Sequence, residues 1–134
     1  MCSVRRGCET GWVEDQDPQD LSEVVARLRQ FAAERDWDQF HSPRNLLLAL
    51  TGEVGELASL VQWRTDAEVE QMLADQDGRR QLEEEVADVA IYLLRLADVC
   101  GIDLLSAVTD KIAVNARKYP VEKAKGSARK YTEF

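Results

Sequence analysis

The chain has 134 residues, of which 45% are hydrophobic, so it is expected to form one domain with a modest core, and its composition excludes disorder throughout. A net charge of −8 argues against binding to a nucleic-acid polymer. No apolar run approaches the roughly 20 residues of a membrane span, and the N-terminus lacks a signal-peptide core, so we expect a soluble, cytoplasmic protein with no membrane partner. Three cysteines without metal-ligand spacing favour reduced thiols.

The first half of the chain predicts two helices after a leader. Residues 1–19 lack hydrophobic periodicity and are expected to be a mobile leader. Asp20 is the expected N-cap of a helix that runs to about Asp36. The pair Ser42–Pro43 then predicts the start of a second helix that extends to Trp63.

The second half predicts two further main helices, a short helix and a tail. The short helix is expected over residues 67–74, and a break over 75–78 separates it from a long helix over 79–100. Gly101 is well placed to end that helix in a left-handed cap. The last main helix follows Asp103 as its N-cap and stops before Pro120. The predicted fold class is therefore all-α, with a helical domain over residues 20–120 and a basic tail over 121–134.

Two of these helices each carry a pair of acids three residues apart, namely Glu53 with Glu56 and Glu85 with Asp88. This spacing puts both members of a pair on one side of a helix. Glu53 and Glu85 fall within the apolar arcs of their helices, where an ionised carboxylate is costly unless it is paired or bound to a cation. The four acids are expected to converge if the helices pack together. Because the chain has one histidine, all-oxygen ligation of Mg²⁺ or Mn²⁺ is favoured.

Positive charge is concentrated at the C-terminal end, where seven of the 17 Lys/Arg but only two of the 25 Asp/Glu follow Asp110. On the last main helix Lys111, Asn115 and Lys118 recur at i, i+4 and i+7, so they share one side. Carboxylates attract a metal ion and amines attract phosphate, so the two sets fit opposite ends of a Mg²⁺-triphosphate. The alternative is that the basic end only complements the acidic body.

The aromatic residues around the first acid motif have two possible roles. Trp37 and Trp63 are either core anchors or the walls of a slot for a planar base. His41 is either a loop residue that forms a hydrogen bond or a substrate contact. Tyr92, one turn after Asp88, either packs in the core or donates to phosphate.

The motif Glu-x-x-Glu, a 28-residue gap and Glu-x-x-Asp occurs together with a Lys-Tyr-Pro segment at residues 118–120. With residues 40–58, 83–92 and 126–132, these features resemble the MazG-like all-α nucleoside triphosphate pyrophosphohydrolases, and within them the branch that acts on dCTP. The resemblance covers roughly residues 21–133.

The resemblance implies an antiparallel four-helix bundle that assembles as a homodimer or homotetramer. It implies Mg²⁺-dependent hydrolysis of a deoxynucleoside triphosphate, dCTP or a modified dCTP, to the monophosphate and pyrophosphate, which cleanses the nucleotide pool. The residues that match the family's catalytic Mg²⁺ ligands are Glu53, Glu56, Glu85 and Asp88. Those that match positions near the phosphates are Tyr92, Lys111, Asn115, Lys118 and Tyr119, and those that match the base pocket are Trp37, His41 and Trp63.

One departure bears on the base preference, since Leu28 stands where some dCTP-specific relatives have a histidine. Within the enzyme class, the alternative is a nucleoside triphosphate pyrophosphohydrolase of broad specificity. From a different class, the alternative is a non-catalytic helical dimerisation module whose acids hold a structural cation or pair with the tail. Leu47, Leu48 and Ile91 lie outside the main apolar stripes and predict a symmetric oligomer.

Overall fold

The computed structural model describes residues 17–134, and all regular elements in this range are helical, which confirms the all-α prediction. The predicted leader lies outside the described residues except for 17–19. No helix between residues 17 and 134 is both long enough and apolar enough to cross a bilayer. The helices are α1 (Leu21–Glu34), α2 (Pro43–Ser59), α3 (Asp66–Ala74), α4 (Gln76–Val99), α5 (Leu104–Lys118) and α6 (Val121–Ala124), with 3₁₀ turns at Asp38–Phe40 and Tyr131–Glu133.

The predicted caps begin and end the helices as expected. The carboxylate of Asp20 accepts a hydrogen bond from a first-turn N–H of α1. The hydroxyl oxygen of Ser42 and the carboxylate of Asp103 do the same for α2 and α5. Each bond satisfies an N–H group that has no partner inside its own helix. Gly101 follows α4 with a φ of 66°, a left-handed conformation that glycine adopts without strain.

Helix α4 begins three residues earlier than expected, so the predicted break over 75–78 is confined to Asp75, and the prediction is wrong for 76–78. Asp75 ends α3, and its side chain also accepts a hydrogen bond from the backbone N–H of Gly78 at 3.0 Å, so one residue serves both helices. Gly78 therefore lies in the first turn of α4. A Cβ at this position would lie 2.5 Å from the carbonyl oxygen of Met72, so the absence of a side chain lets the two helices approach.

We expect Gly78→Ala to lower the free energy of unfolding by roughly 1–3 kcal/mol, because the new methyl group meets backbone that cannot rotate away. Chemical denaturation of the purified protein measures the change. Gly55→Ala is the matched control, since a Cβ at Gly55 meets no atom within 4 Å and alanine favours the helix by about 1 kcal/mol. An equal response of the two variants would show that the approach of α3 to α4 is not constrained by Gly78.

Helix α4 is the central element, because α1, α2 and α3 all pack against it. The helical spacing of the apolar residues in α4 predicts that Leu93 lies in the core. Leu93 is instead 41% exposed, whereas its neighbour Leu94 is 8% exposed. That prediction is wrong because α1 covers a different side of α4 from the one that a single stripe marks. Leu94 and Ala97 face the same cavity as Val25 of α1. The buried apolar residues are Ala32, Leu46, Met72, Leu94 and Ala97.

Helix α5 makes only sparse contacts with the other helices, and none of its residues is buried. Leu105 is 67% exposed and Ile112 is 63% exposed. The end of the chain folds back on the C-terminal end of this helix, where the Tyr119 ring meets those of Tyr131 and Phe134 edge-on, with centroids 5.8 and 6.1 Å away. A single chain therefore leaves an apolar side of α5 in contact with solvent.

Candidate active site

The paired acids meet where α2 packs against α4, which is the most extensive contact between helices. Glu53 and Glu56 of α2 and Glu85 of α4 each present a carboxylate oxygen, and these atoms lie within 4.8 Å of one another. Asp88 lies one turn after Glu85, close enough for its charge to act on Glu53. These four residues are called the acid cluster below.

The acid cluster has no cationic partner in the described part of the chain. None of the ion pairs among residues 17–134 includes any of the four acids. The Oε2 atom of Glu85 is buried and forms no hydrogen bond within that range. A carboxylate oxygen that has left water without gaining a donor is costly. The cluster is therefore electrostatically incomplete.

The pKa of Glu53 reflects this imbalance. Loss of hydration raises the pKa of Glu53, and the nearby charges of Glu56, Asp88 and Glu85 raise it further. A carboxyl group whose pKa is raised by folding binds its proton more tightly in the folded state than in the unfolded state. Its contribution therefore lowers stability as pH rises from the unfolded-state pKa through the folded-state pKa. A cation within the cluster would remove this cost.

The donor atoms of the cluster fit a hard divalent cation. All of them are carboxylate oxygens, the ligand type that Mg²⁺ and Mn²⁺ prefer. A cation held by Glu53, Glu56 and Glu85 would also give the buried Oε2 atom of Glu85 a partner. Packing alone does not explain why these carboxylate oxygens lie together without a positive charge beside them.

A cavity of about 200 Å³ lies beside the acid cluster, between α1, α4 and the segment that joins α1 to α2. Asp88 belongs both to the cluster and to the cavity wall, so the two features are continuous. Apolar walls with a few polar groups are typical of small-molecule sites. The lining residues are Leu28, Phe31, Ala32, Trp37, His41, Asp88, Ile91, Tyr92 and Arg95.

The position of Trp37 in this wall follows from how α1 ends. Asp36 adopts a left-handed φ of 52°, which Asp tolerates better than most residues with a Cβ. The chain reverses there, and the backbone N–H of Trp37 donates to the carbonyl oxygen of Ala32 at 2.9 Å. The indole ring consequently packs edge-on against Phe31, with centroids 5.6 Å apart, while 43% of Trp37 stays exposed.

A network of charged side chains holds His41 and Arg95, which also line the cavity. Arg95 is buried, and its Nε donates to Nδ1 of His41 at 3.1 Å, while its Nη1 donates to Asp98 at 2.9 Å and its Nη2 pairs with Asp38. Asp98 also accepts a bond from Nε of Arg29 at 2.9 Å. The network thereby connects α1, α4 and the 3₁₀ turn that precedes His41.

The network shifts the pKa values of two of its members. The hydrogen bond from Arg29 is the main cause that lowers the pKa of Asp98, and the charges of Arg29 and Arg95 act in the same direction. Burial, followed by the charge of Arg95, lowers the pKa of His41, and Asp38 opposes this shift only in part. The imidazole of His41 is therefore neutral at pH 7.

This network was missed by reasoning from the sequence, although the sequence holds a signal for it. Arg95 and Asp98 interrupt an otherwise apolar run over residues 89–99 at a spacing that allows an ion pair on one helix. A charged pair inside a core stripe must find partners elsewhere, and the segment before Ser42 supplies them. Sequence alone could not identify those partners, because they lie more than 50 residues away along the chain.

The remaining predicted site residues lie apart from the cavity. Trp63 follows α2 and is 88% exposed. Lys111, Asn115 and Lys118 are exposed on α5, which contributes no residue to the cavity lining. Within one chain, the structure therefore brings the acid cluster together with Trp37, His41 and Tyr92, but it does not add Trp63 or the cations of α5.

Comparison with known proteins gives consistent matches. The model of the MazG-like family matches residues 49–134. Human dCTP pyrophosphatase 1 is 54% identical over 118 residues, which cover 87% of this chain and 69% of the human protein. The rat protein of the same name is 49% identical over 136 aligned positions, which cover 95% of this chain and 80% of the rat protein. A crystal structure of a pyrophosphatase from Archaeoglobus fulgidus aligns with a TM-score of 0.70 at 40% identity, covering 78% of this chain and 96% of that one.

An all-helical fold whose two central helices gather four acids is the arrangement that the sequence motifs led us to expect. The chain belongs to the MazG-like family. The resemblance inferred from the sequence motifs is confirmed.

Proposed function

We propose that this protein is a Mg²⁺-dependent nucleoside triphosphate pyrophosphohydrolase that converts dCTP, and modified forms of dCTP, to the monophosphate and pyrophosphate, and so cleanses the nucleotide pool. The observation that carries the proposal is the uncompensated acid cluster, which shares Asp88 with a cavity wide enough for a base. The similarity to dCTP pyrophosphatase 1 of human and rat supports the choice of substrate.

In this proposal the acid cluster is both the metal site and the catalytic centre. Mg²⁺ held by these carboxylates would supply positive charge to the triphosphate and would make a bound water more acidic. Glu53 accepts the proton of the attacking water, because loss of hydration and the charges of the other three acids raise its pKa and make it a stronger base. Glu53, Glu56, Glu85 and Asp88 would together hold the cation.

The cavity residues receive the base. Trp37 offers a partly exposed ring against which a planar base can stack, and Tyr92 lines the same cavity one turn after Asp88. His41 supplies a polar contact. Trp63 adds a second aromatic surface when substrate or a second copy of the chain covers it.

The phosphate contacts come from α5, and we propose that a second copy of the chain completes this part of the site. Lys111, Asn115, Lys118 and Tyr119 are outside the cavity of their own chain, on a helix whose apolar side is exposed. A homodimer, or a homotetramer formed from two dimers, would cover this side and complete an antiparallel four-helix bundle. Sedimentation at micromolar concentration that shows only monomer would contradict this part of the proposal.

The domain boundaries and the compartment follow the same proposal. Residues 20–120 form the catalytic unit, residues 121–134 are a basic C-terminal tail, and residues 1–19 are a leader. Cys100 is an exposed free thiol, a state that reducing conditions preserve, and we place the protein in the cytoplasm.

Pyrophosphate release from a panel of nucleotides tests the function. We expect release in the presence of Mg²⁺ and none with a chelator, and we expect dCTP to be preferred when it competes directly with dUTP, dTTP and the ribonucleotides. Equal rates for all bases would favour the enzyme of broad specificity. Binding of Mg²⁺ without release from any nucleotide would favour the non-catalytic dimerisation module.

A further inference from the structure

We propose that Arg95 is a positioning residue that fixes His41 as a hydrogen-bond donor in the cavity, and that this donor selects cytosine over uracil and thymine. The inference rests on the proposed function and adds to it a physical origin for the choice of base. It depends on the direction of one hydrogen bond and on the rigidity of the group that makes it.

The direction of that bond determines which nitrogen of His41 carries the proton. A guanidinium group has only N–H donors and no acceptor. Because Nε of Arg95 lies 3.1 Å from Nδ1 of His41, Nδ1 must be the acceptor in this bond. A neutral imidazole has one donor and one acceptor, so its proton is on Nε2. His41 is thus left with a donor as its second polar atom.

Arg95 is held too firmly to let this arrangement vary. Its side chain is 10% exposed, and two further faces of the guanidinium are bound to Asp98 and Asp38. The carboxylate of Asp98 is 8% exposed and is itself held by Arg29 from α1. Rotation of the Arg95 fork would break several charged hydrogen bonds at once. The orientation of His41 is consequently set by Arg95 of α4, which Asp38 and Asp98 hold directly.

The free donor belongs to a side chain that lines the cavity, whose other polar side chains are Asp88, Tyr92 and Arg95. No hydrogen bond involving Nε2 of His41 occurs among residues 17–134, and this atom is not buried out of reach of solvent. His41 lines the cavity beside Trp37, whose ring centroid is 6.3 Å from that of the imidazole. Leu28 and Ile91 supply only apolar surface there. A base stacked on Trp37 therefore meets a donor of fixed position.

The pyrimidine bases differ in whether their N3 atom accepts or donates a hydrogen bond. The N3 atom of cytosine is an acceptor, whereas N3 of uracil and of thymine carries a proton and is a donor. A donor that cannot change its tautomer pairs with cytosine N3 but opposes the N3–H group of the other two bases. Because an unpaired polar group in a closed site is costly, we expect the fixed donor to favour dCTP over dUTP by at least about tenfold in kcat/KM.

The tautomer can be observed directly, because His41 is the one histidine of the chain. Two-bond ¹H–¹⁵N correlation spectra of the uniformly labelled full-length protein are expected to show the Nε2–H form in the wild type at neutral pH. Arg95→Met should give a mixture of tautomers, since it removes the donor to Nδ1. Arg29→Gln is the matched control, because it removes another arginine from the same network and leaves the Arg95–His41 bond in place. Its spectrum should match the wild type.

Selectivity provides the second readout. We expect the ratio of kcat/KM for dCTP to that for dUTP to fall at least about tenfold in Arg95→Met, mainly through KM for dCTP, and to stay unchanged in Arg29→Gln. Arg95→Lys is the control for a folding defect in Arg95→Met. It keeps a positive charge between Asp38 and Asp98 but lacks the planar fork, so it should fold and still lose selectivity.

The outcomes separate this inference from the proposed function. An Nδ1–H tautomer in the wild type, or full selectivity in folded Arg95→Met and Arg95→Lys, would overturn the inference while leaving the enzyme intact. If no nucleotide is hydrolysed, the proposed function fails, and equilibrium binding of dCMP and dUMP then decides the inference. Preference for dCMP that disappears in the Arg95 variants would support it, and equal binding by the wild type would overturn it.

Discussion

Replacement of Glu85 by glutamine is expected to reduce Mg²⁺-dependent hydrolysis of dCTP by more than about 100-fold, because changes to residues that merely orient a metal ligand already cost 10- to 100-fold. Glu85 is the acid whose buried Oε2 atom has no hydrogen-bond partner in the described part of the chain, so its charge is the one that most needs a cation. Pyrophosphate release under saturating Mg²⁺ measures the loss.

The effect of Glu85→Gln on stability should depend on whether Mg²⁺ is bound. Mg²⁺ at 100 times its dissociation constant is expected to stabilise the wild type by about 2.7 kcal/mol, and Glu85→Gln should lose most of this gain. Without metal, however, the variant should be more stable than the wild type by about 0.5 kcal/mol, because it removes one of several like charges. Thermal unfolding with and without Mg²⁺ measures both effects.

Glu84→Gln is the matched control for Glu85→Gln. Glu84 is the preceding residue of α4, its side chain is 67% exposed, and it lies 3.9 Å from Arg80 at the surface. We expect it to retain both activity and the stabilisation by Mg²⁺. Equal loss of activity in the two variants, or full activity in Glu85→Gln, would contradict the placement of the metal site.

Asp98→Asn is expected to lower the free energy of unfolding by about 3 kcal/mol or more. It keeps the shape of the side chain but leaves the buried guanidinium of Arg95 with Asp38 as its remaining carboxylate, and a buried charge that loses a partner is strongly destabilising. Urea denaturation measures the change. The matched control is Asp77→Asn, which removes an exposed carboxylate 3.6 Å from Arg80 and should cost less than about 1 kcal/mol.

The two acids with shifted pKa values in these networks should respond oppositely to pH. The pKa of Asp98 is lowered by folding, so its stabilising contribution is present above the unfolded-state pKa and is lost as pH falls through the folded-state pKa. The pKa of Glu53 is raised, so its destabilising contribution grows as pH rises. Asp98→Asn should therefore make stability less sensitive to acid. An unchanged acid transition in this variant would contradict the role of the network.

Local signals in the sequence were enough to predict most helix ends. Asp20, Ser42 and Asp103 cap helices because a short polar side chain can bond to an N–H only a few residues away, and this chemistry does not depend on the rest of the fold. The junction at Asp75 was predicted less well. There, one side chain caps α4 while its backbone ends α3, and the close approach of Met72 to Gly78 is a tertiary contact that local pattern cannot reveal.

The approach of the acids could be predicted for a different reason. Glu53 and Glu85 interrupt apolar arcs, so packing of those arcs had to bring them close to one another, whereas their roles in metal binding and catalysis stay predictions. The network around Arg95 could not be predicted, because Asp38 and His41 are distant in sequence. The isolation of α5 could not be predicted either, since its helical pattern is the same whether its partner is its own chain or another.

The order of the helices along the chain has a consequence for protein synthesis. The principal helix contacts all involve α4 and are complete once residue 99 has been made. Because chains fold from the N-terminus as they are synthesised, the acid cluster and the Arg95 network can form before α5 is available. The exposed apolar side of α5 therefore appears on the growing chain only after α1 to α4 have been made, and this timing limits the interval in which it can engage incompletely folded neighbours.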